Sequence, residues 1–212
     1  MGSMVEEAIE RATTSIVSRR LELARQVIDS DDAIDLKEIA IEEECLKLLA
    51  LHQPVAKDLR LIIAIMKVTN DLERMGDLAV NIAERGLFLG EHAPLPIPVE
   101  LREMVRQTST MVRESLDSLV NQDSALARQV CRADDIVDEL NREMFRILEE
   151  AIREDPETVQ GELNLLSVSR NLERIADAAT NIAEDIVFMV EGQVIKHRSG
   201  NYRGTTRETA RG

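Results

Sequence analysis

The sequence predicts an all-α protein built as two tandem antiparallel three-helix bundles related by internal duplication. Three observations lead there. First, residues 70–84, NDLERMGDLAVNIAE, recur as RNLERIADAATNIAE at 170–184. Leu72/Leu172, Glu73/Glu173, Arg74/Arg174, Asp77/Asp177, Asn81/Asn181 and Glu84/Glu184 match at one offset of 100. A repeat near half the chain length marks two copies of one supersecondary unit. Second, turn formers are scarce, with 9 Gly and 5 Pro in 212 residues, while Ala, Leu, Glu and Arg fill long uninterrupted segments. Third, the chain is 44% hydrophobic but only 2% aromatic, without Trp, so its core is of Leu, Ile, Val, Ala and Met.

Period and punctuation give six helices. The first covers about 4–17. The second covers about 20–52 and stops near Gln53-Pro54. The third covers about 54–90, with Pro54 in its first turn, where the missing N–H costs nothing. Its Leu61, Ile65, Val68, Leu72, Met75, Ala79 and Ile82 step by four and three, a heptad seam that predicts close antiparallel packing. The three prolines of Pro94-Leu95-Pro96-Ile97-Pro98 cannot continue a helix. The expected organisation is therefore a first bundle at 1–90, a Pro-rich linker at 91–98 and a second bundle at 99–191. The fourth helix covers about 99–120, and Asn121-Gln122-Asp123-Ser124 supplies turn and N-cap chemistry. The fifth covers about 124–154, closed by Asp155-Pro156, and the sixth about 157–191. Residues 192–212 read as a basic polar tail without fixed structure, with Lys196, Arg198, Arg203, Arg207 and Arg211 against Glu208.

A net charge of −14 excludes the phosphate backbone of nucleic acid as a partner for the body of the protein. It fits a protein that meets cations or basic surfaces. The longest apolar run, Leu61–Met66, is too short to span a bilayer, and the N-terminus lacks a secretory pattern. Two cysteines, Cys45 and Cys131, make neither a disulfide framework nor a zinc site. A cytoplasmic setting follows. His52, His92 and His197 are scattered and read as structural or exposed. No phosphate-binding Gly-rich loop and no nucleophile motif occurs.

The chemistry is carried by acids. Glu73, Asp77 and Asn81 fall at i, i+4 and i+8, on one helix face roughly opposite the heptad seam and near the surface. The seam of the second helix, Ala24, Val27, Asp31, Ile34, Glu38, Ile41, Cys45, Leu48, is interrupted by Asp31. The seam of the fifth, Ala127, Val130, Asp134, Val137, Asn141, Met144, Leu148, is interrupted at the corresponding place by Asp134. Asp35 and Asp138 follow one turn on. An acid at a seam position costs stability. Hairpin pairing sets Asp31 and Asp35 level with residues near 75 and 71, and Asp134 and Asp138 level with residues near 176 and 172. Up to four carboxylates then share a height in each half. They repel one another unless a cation sits between them, and an all-oxygen set suits magnesium, calcium, manganese or iron.

These residues also carry a likeness to a known family. Gln53-Pro54-Val55-Ala56-Lys57-Asp58-Leu59-Arg60, Asp71-Leu72-Glu73-Arg74-Met75-Gly76-Asp77 and the counterpart at 171–177 resemble the PhoU family of bacterial phosphate-transport and phosphate-signalling accessory proteins, over roughly residues 4–192. The resemblance implies two three-helix bundles and metal-cluster sites at Asp31, Asp35, Glu73, Asp77, Asp134, Asp138, Glu173 and Asp177, holding iron, zinc, manganese, magnesium or calcium ions. It also implies a homodimeric negative regulator of phosphate uptake and of the phosphate-starvation response. Such a protein contacts the importer's ATPase subunit and a phosphate-sensing histidine kinase, and meets the membrane only through those partners. One departure is Ala176, where the family pattern has the glycine kept here as Gly76. Two other readings are a di-metal carboxylate enzyme and a metal-free helical adaptor. The first wants a Glu-x-x-His pair on each of two helices, and no histidine here has Glu three residues before it.

Overall fold

The computed structural model describes residues 1–196, so most of the basic tail, including His197 and Arg198 to Arg211, lies outside the described residues. Those residues form seven α-helices and no strand: α1 Gly2–Ser18, α2 Leu21–Asp29, α3 Asp31–His52, α4 Ala56–Glu91, α5 Val99–Asn121, α6 Ser124–Glu154 and α7 Val159–Glu191. A short 3₁₀ turn, Pro156–Thr158, precedes α7.

The all-α repeat architecture follows the sequence. The expected second helix is instead two, α2 and α3, divided at Ser30. The local sequence Asp29-Ser30-Asp31-Asp32 strings together residues whose side chains compete for backbone hydrogen bonds. Ser30 takes φ −101°, ψ 0°, and its hydroxyl donates back to Val27 O at 3.0 Å. In the second repeat the corresponding residues are Arg132-Ala133-Asp134-Asp135, and these better helix formers carry α6 through unbroken. The break makes Asp31 and Asp32 the first turn of α3, where the helix dipole favours negative charge. A second difference concerns Pro54. It lies outside α4, because Gln53 takes a left-handed φ of 46° to cap α3 and Val55 is the N-cap of α4. The cap expected at 121–124 is Asp123, whose carboxylate accepts from the N–H groups of Ala125 and Leu126.

The long helices α4 and α7 pack extensively against each other, and α6 packs on α7 to the same degree. Around them, α1, α2 and α3 lie on α4, while α5 and α6 lie on α7, and α1 also meets α5. One continuous core results: Val68, Leu72, Met75, Ala79 and Ile82 of α4 and Val168, Leu172, Ile175, Ala179 and Ile182 of α7 belong to a single cluster. The alanines at 79, 83, 179 and 183 let the helix backbones approach. The Pro-rich connection is tied down at Leu95, whose Cδ1 lies 2.2 Å from where a Cβ on Gly161 would sit. A larger residue at 161 would force the Leu95 side chain to move.

Polar bonds fix the register between repeats. Lys67 Nζ donates to Asp185 Oδ1 at 2.7 Å. Asn181 is hydrogen-bonded to the Asp71 carboxylate. Arg60 Nε donates to Met189 O at 3.5 Å.

Candidate metal centre

The hairpin of α3 and α4 brings the predicted acids of the first repeat together. One carboxylate oxygen each from Asp31, Asp35 and Asp77 lies within 4.8 Å of the others. Asp31 and Asp35 are one turn apart on α3 and face Asp77 across the helix pair. Glu73 stands one turn from Asp77 and feels Asp77, Glu38, Asp35 and Asp31. The pairing differs from the expected register: Ile34 of α3 lies against Gly76 of α4, where hairpin arithmetic sets it level with residue 72, and Asp35 meets Asp77 rather than residue 71.

The electrostatics follow from crowding. Burial pushes the carboxyls of Asp31, Glu73 and Asp77 up from their ordinary values, and neighbouring acids push in the same direction. For Asp31 the neighbours are Asp35, Asp77 and Asp32; for Asp77 the neighbour is Asp35. Asp35 Oδ1 is buried without a hydrogen-bond partner among the described residues. An orphaned buried carboxylate oxygen, facing two other carboxylates, fits a hard divalent cation by donor type, since such ions take carboxylate oxygens. Asp31, Asp35 and Asp77 are the residues that would hold it, with Glu73 adjacent.

The second repeat assembles a different cluster. Glu173 feels burial, then Asp177 and Asp138, and its carboxyl is raised, but Arg170 and Arg174 oppose the shift. Asp134 is buried in mid-helix at 4% exposure. Among the described residues, only Asp31, Asp35 and Asp77 form a group of three converging ligand atoms. The four second-repeat acids named from sequence thus share a region without closing to that distance.

The structure also gives work to residues that sequence reasoning passed over. Asn181, matched with Asn81 in the repeat, bonds Asp71 at the α4–α7 crossing. Burial pushes Asp71 up to about 6. The signal was present in the sequence as Asp71 set against Asn171, the one motif position where an acid faces an amide. Glu38, read only as a seam position, joins the first cluster. Its counterpart Asn141 instead accepts a hydrogen bond from Ser169. Of the histidines, His92 stacks on Phe88 at a ring separation of 3.9 Å, and His52 is exposed. Both cysteines are buried and unpaired, and burial pushes the Cys131 thiol up to about 12, so it is inert at neutral pH.

The sequence matches the PhoU domain over residues 1–86 and again over residues 101–186. The chain belongs to the PhoU family. It is 43% identical over 96% of its length to a phosphate-specific transport system accessory protein PhoU homolog of Aquifex aeolicus, covering 92% of that protein. It is 40% identical over 93% of its length to the homolog of Pseudomonas aeruginosa, covering 82% of it. The crystal structure of PhoU from Pseudomonas aeruginosa superposes with a TM-score of 0.89 at 40% identity, covering 91% of this chain and 93% of that one. The phosphate transport system regulatory protein PhoU from Streptococcus pneumoniae superposes with a TM-score of 0.85 at 30% identity, covering 92% of each chain. The two matched PhoU domains coincide with the duplicated halves, each ending shortly after its Glu-x-x-x-Asp motif. Among the described residues no helix is long and apolar enough to cross a membrane.

Proposed function

We propose that this protein is a cytoplasmic, non-enzymatic negative regulator of phosphate uptake and of the phosphate-starvation response, and that it carries a metal ion on the α3–α4 hairpin. The observation that carries the metal reading is the convergence of Asp31, Asp35 and Asp77, with an unpaired buried oxygen on Asp35. The phosphate reading is supported by the relatives, which are named accessory proteins of the phosphate-specific transport system.

The regulator acts by contact, on the importer's ATPase subunit and on a phosphate-sensing histidine kinase, and it works as a homodimer. Contact function is supported by the outer face of α3. Leu36, Ile39, Leu46 and Leu51 are 67%, 53%, 56% and 76% exposed, an unusual density of large apolar side chains for one surface helix. The metal draws Asp31 and Asp35 toward Asp77, and so fixes the pose of the helix that presents this face. The second-repeat residues Asp134, Asp138, Glu173 and Asp177 form the companion site.

Deletion of the gene in the source organism tests the reading. Uptake of radiolabelled phosphate and a starvation-promoter reporter should both rise in phosphate-replete medium, and Asp35→Asn/Asp77→Asn at the native locus should reproduce much of that rise. Unchanged uptake and reporter after deletion would contradict it.

A further inference from the structure

We infer that the outer face of α3 is the docking site for a basic amphipathic helix of a partner protein: leucine and isoleucine side chains of α3 take its apolar stripe, and the acids beside them take its lysines and arginines. This rests on the reading of the protein as a contact regulator and names the chemistry of the segment it contacts.

The duplication supplies an internal control. With Asp31 set against Asp134 and Asp35 against Asp138, Leu36, Ile39, Leu46 and Leu51 of α3 match Glu139, Arg142, Glu149 and Glu154 of α6. All eight residues are exposed. The two helices hold the same place in their repeats. The face on α6 is charged, with Glu139 paired to Arg142 and Glu149 to Arg153, as a face that meets water should be. The face on α3 presents four large apolar side chains instead. The fold does not use them. The buried residues of α3 are Ile34 and Cys45, with Ile34 turned toward Gly76 of α4, and none of the four belongs to the core cluster. At about 100° per residue, Leu36, Ile39, Leu46 and Leu51 fall within an arc of roughly 140°. The exposed Ala33, Ala40 and Ala50 share that arc. From Leu36 to Leu51 the stripe is about 22 Å long, four turns of helix, which suits a second helix laid alongside.

The occupant follows from charge. α3 carries seven acids against two lysines. Glu42 borders the arc on one edge, Glu44 borders it on the other, and Glu43 lies within it. A second copy of the chain would bring the same negative excess, on a protein already at −14, so like charges oppose pairing through this face. An anionic membrane surface is repelled for the same reason. Residues 197–212 bring arginines, but their only hydrophobic residues are Tyr202 and Ala210, too little to cover four leucine-sized side chains. A helix with apolar residues at i, i+3 or i+4 and i+7, flanked by lysine or arginine, matches both the stripe and its acids.

The test is fluorescence anisotropy of labelled peptides of about 18 residues, five turns of helix, titrated with the full chain. One peptide has a leucine face flanked by lysines. The second has serine for each leucine, and the third has glutamate for each lysine. The variant Leu36→Glu/Ile39→Arg/Leu46→Glu/Leu51→Glu installs the residues that α6 itself carries. It adds three glutamates and one arginine, so attraction by charge alone would hold or strengthen in it. The Leu/Lys peptide should bind the wild type, and at least about tenfold more weakly the variant. The Ser/Lys and Leu/Glu peptides should bind the wild type at least about tenfold more weakly than the Leu/Lys peptide. Leu46→Glu alone should give an intermediate loss, with helicity and melting temperature unchanged. Absence of Leu/Lys binding, undiminished binding by the fourfold variant, or equal binding of either other peptide would overturn the inference. So would a wild-type dimer in sedimentation that the fourfold variant loses, since the face would then belong to a second copy. All of these outcomes leave derepression on gene deletion standing, so failure here is separable from failure of the contact reading.

Discussion

Ile34 of α3 lies against Gly76 of α4, its Cδ1 3.1 Å and its Cγ2 3.4 Å from where a Cβ on Gly76 would sit. The contact lies at the height of Asp31, Asp35 and Asp77 and sets how closely the two helices approach there. In the second repeat Ala176 replaces the glycine and Val137, one methylene smaller, takes the place of Ile34. The two substitutions compensate in volume, so the methyl that departs from the family pattern is accommodated. Gly76→Ala alone should therefore gain less than the roughly 1 kcal/mol that alanine offers over glycine inside a helix, because Ile34 must give way, and should weaken cation binding. Ile34→Val added to it should restore part of both. Urea denaturation of the single and double variants checks this; a double variant no better than Gly76→Ala would contradict it.

Asp71 gives a pH dependence of defined sign. Burial, aided by Asp185 and opposed by the Asn181 bond and by Arg74 and Lys67, raises its carboxyl from 3.8 to about 6. The folded state thus holds a proton that the unfolded state has already released. Through Asp71, the stability of cation-free protein falls as pH rises from about 4 to about 6, and that penalty is complete above the window. Asp31, Glu73, Asp77, Glu173 and Glu162 are raised as well and add slope of the same sign. Asp71→Asn should give a shallower dependence and a higher urea midpoint at neutral pH, measured in chelator. An unaltered slope would mean that Asp71 titrates normally.

Between the repeats, the Lys67–Asp185 pair joins an exposed lysine to a half-buried aspartate, at 56% and 16% side-chain exposure. Partial exposure keeps its worth small. A double-mutant cycle with Lys67→Met and Asp185→Asn should return a coupling of about 0.5–1 kcal/mol that shrinks in high salt. A coupling near zero would leave the α4–α7 register to apolar packing and to the Asn181–Asp71 and Arg60–Met189 bonds.

The helices and the meeting of the first-repeat acids were legible because both rest on local pattern. Heptad steps in α4, the acids interrupting the facing seam, and a hairpin closing near Pro54 together suffice to bring Asp31 and Asp35 to Asp77. The break at Ser30 was also written in the chain, in the contrast between Asp29-Ser30-Asp31-Asp32 and Arg132-Ala133-Asp134-Asp135, but apolar period alone runs through it. What hairpin arithmetic could not supply was the crossing of α4 on α7, because that packing joins residues about 110 positions apart. Asn181, visible in the sequence only as a matched position of the repeat, serves Asp71 of the other half. The second repeat differs at the same height: α6 runs unbroken through Asp134, and no converging group of three forms there among the described residues, a difference the apolar seam does not register.

Asp77→Asn separates repulsion from coordination. Without metal it should raise the melting temperature, since Asp31, Asp35 and Glu73 lose a like-charged neighbour. With Mn²⁺ at about a hundredfold over its dissociation constant, the wild type should gain about 2.7 kcal/mol, and most of that gain should vanish in the variant. A variant less stable than the wild type in chelator would show that Asp77 has a structural partner that outweighs the repulsion.

The most direct measurement is anomalous diffraction from crystals of the full chain grown with Mn²⁺. A peak about 2.0–2.6 Å from carboxylate oxygens of Asp31, Asp35 and Asp77 together is the predicted result. Those three side chains turned outward into solvent, with ordered manganese absent from the α3–α4 hairpin, would contradict it.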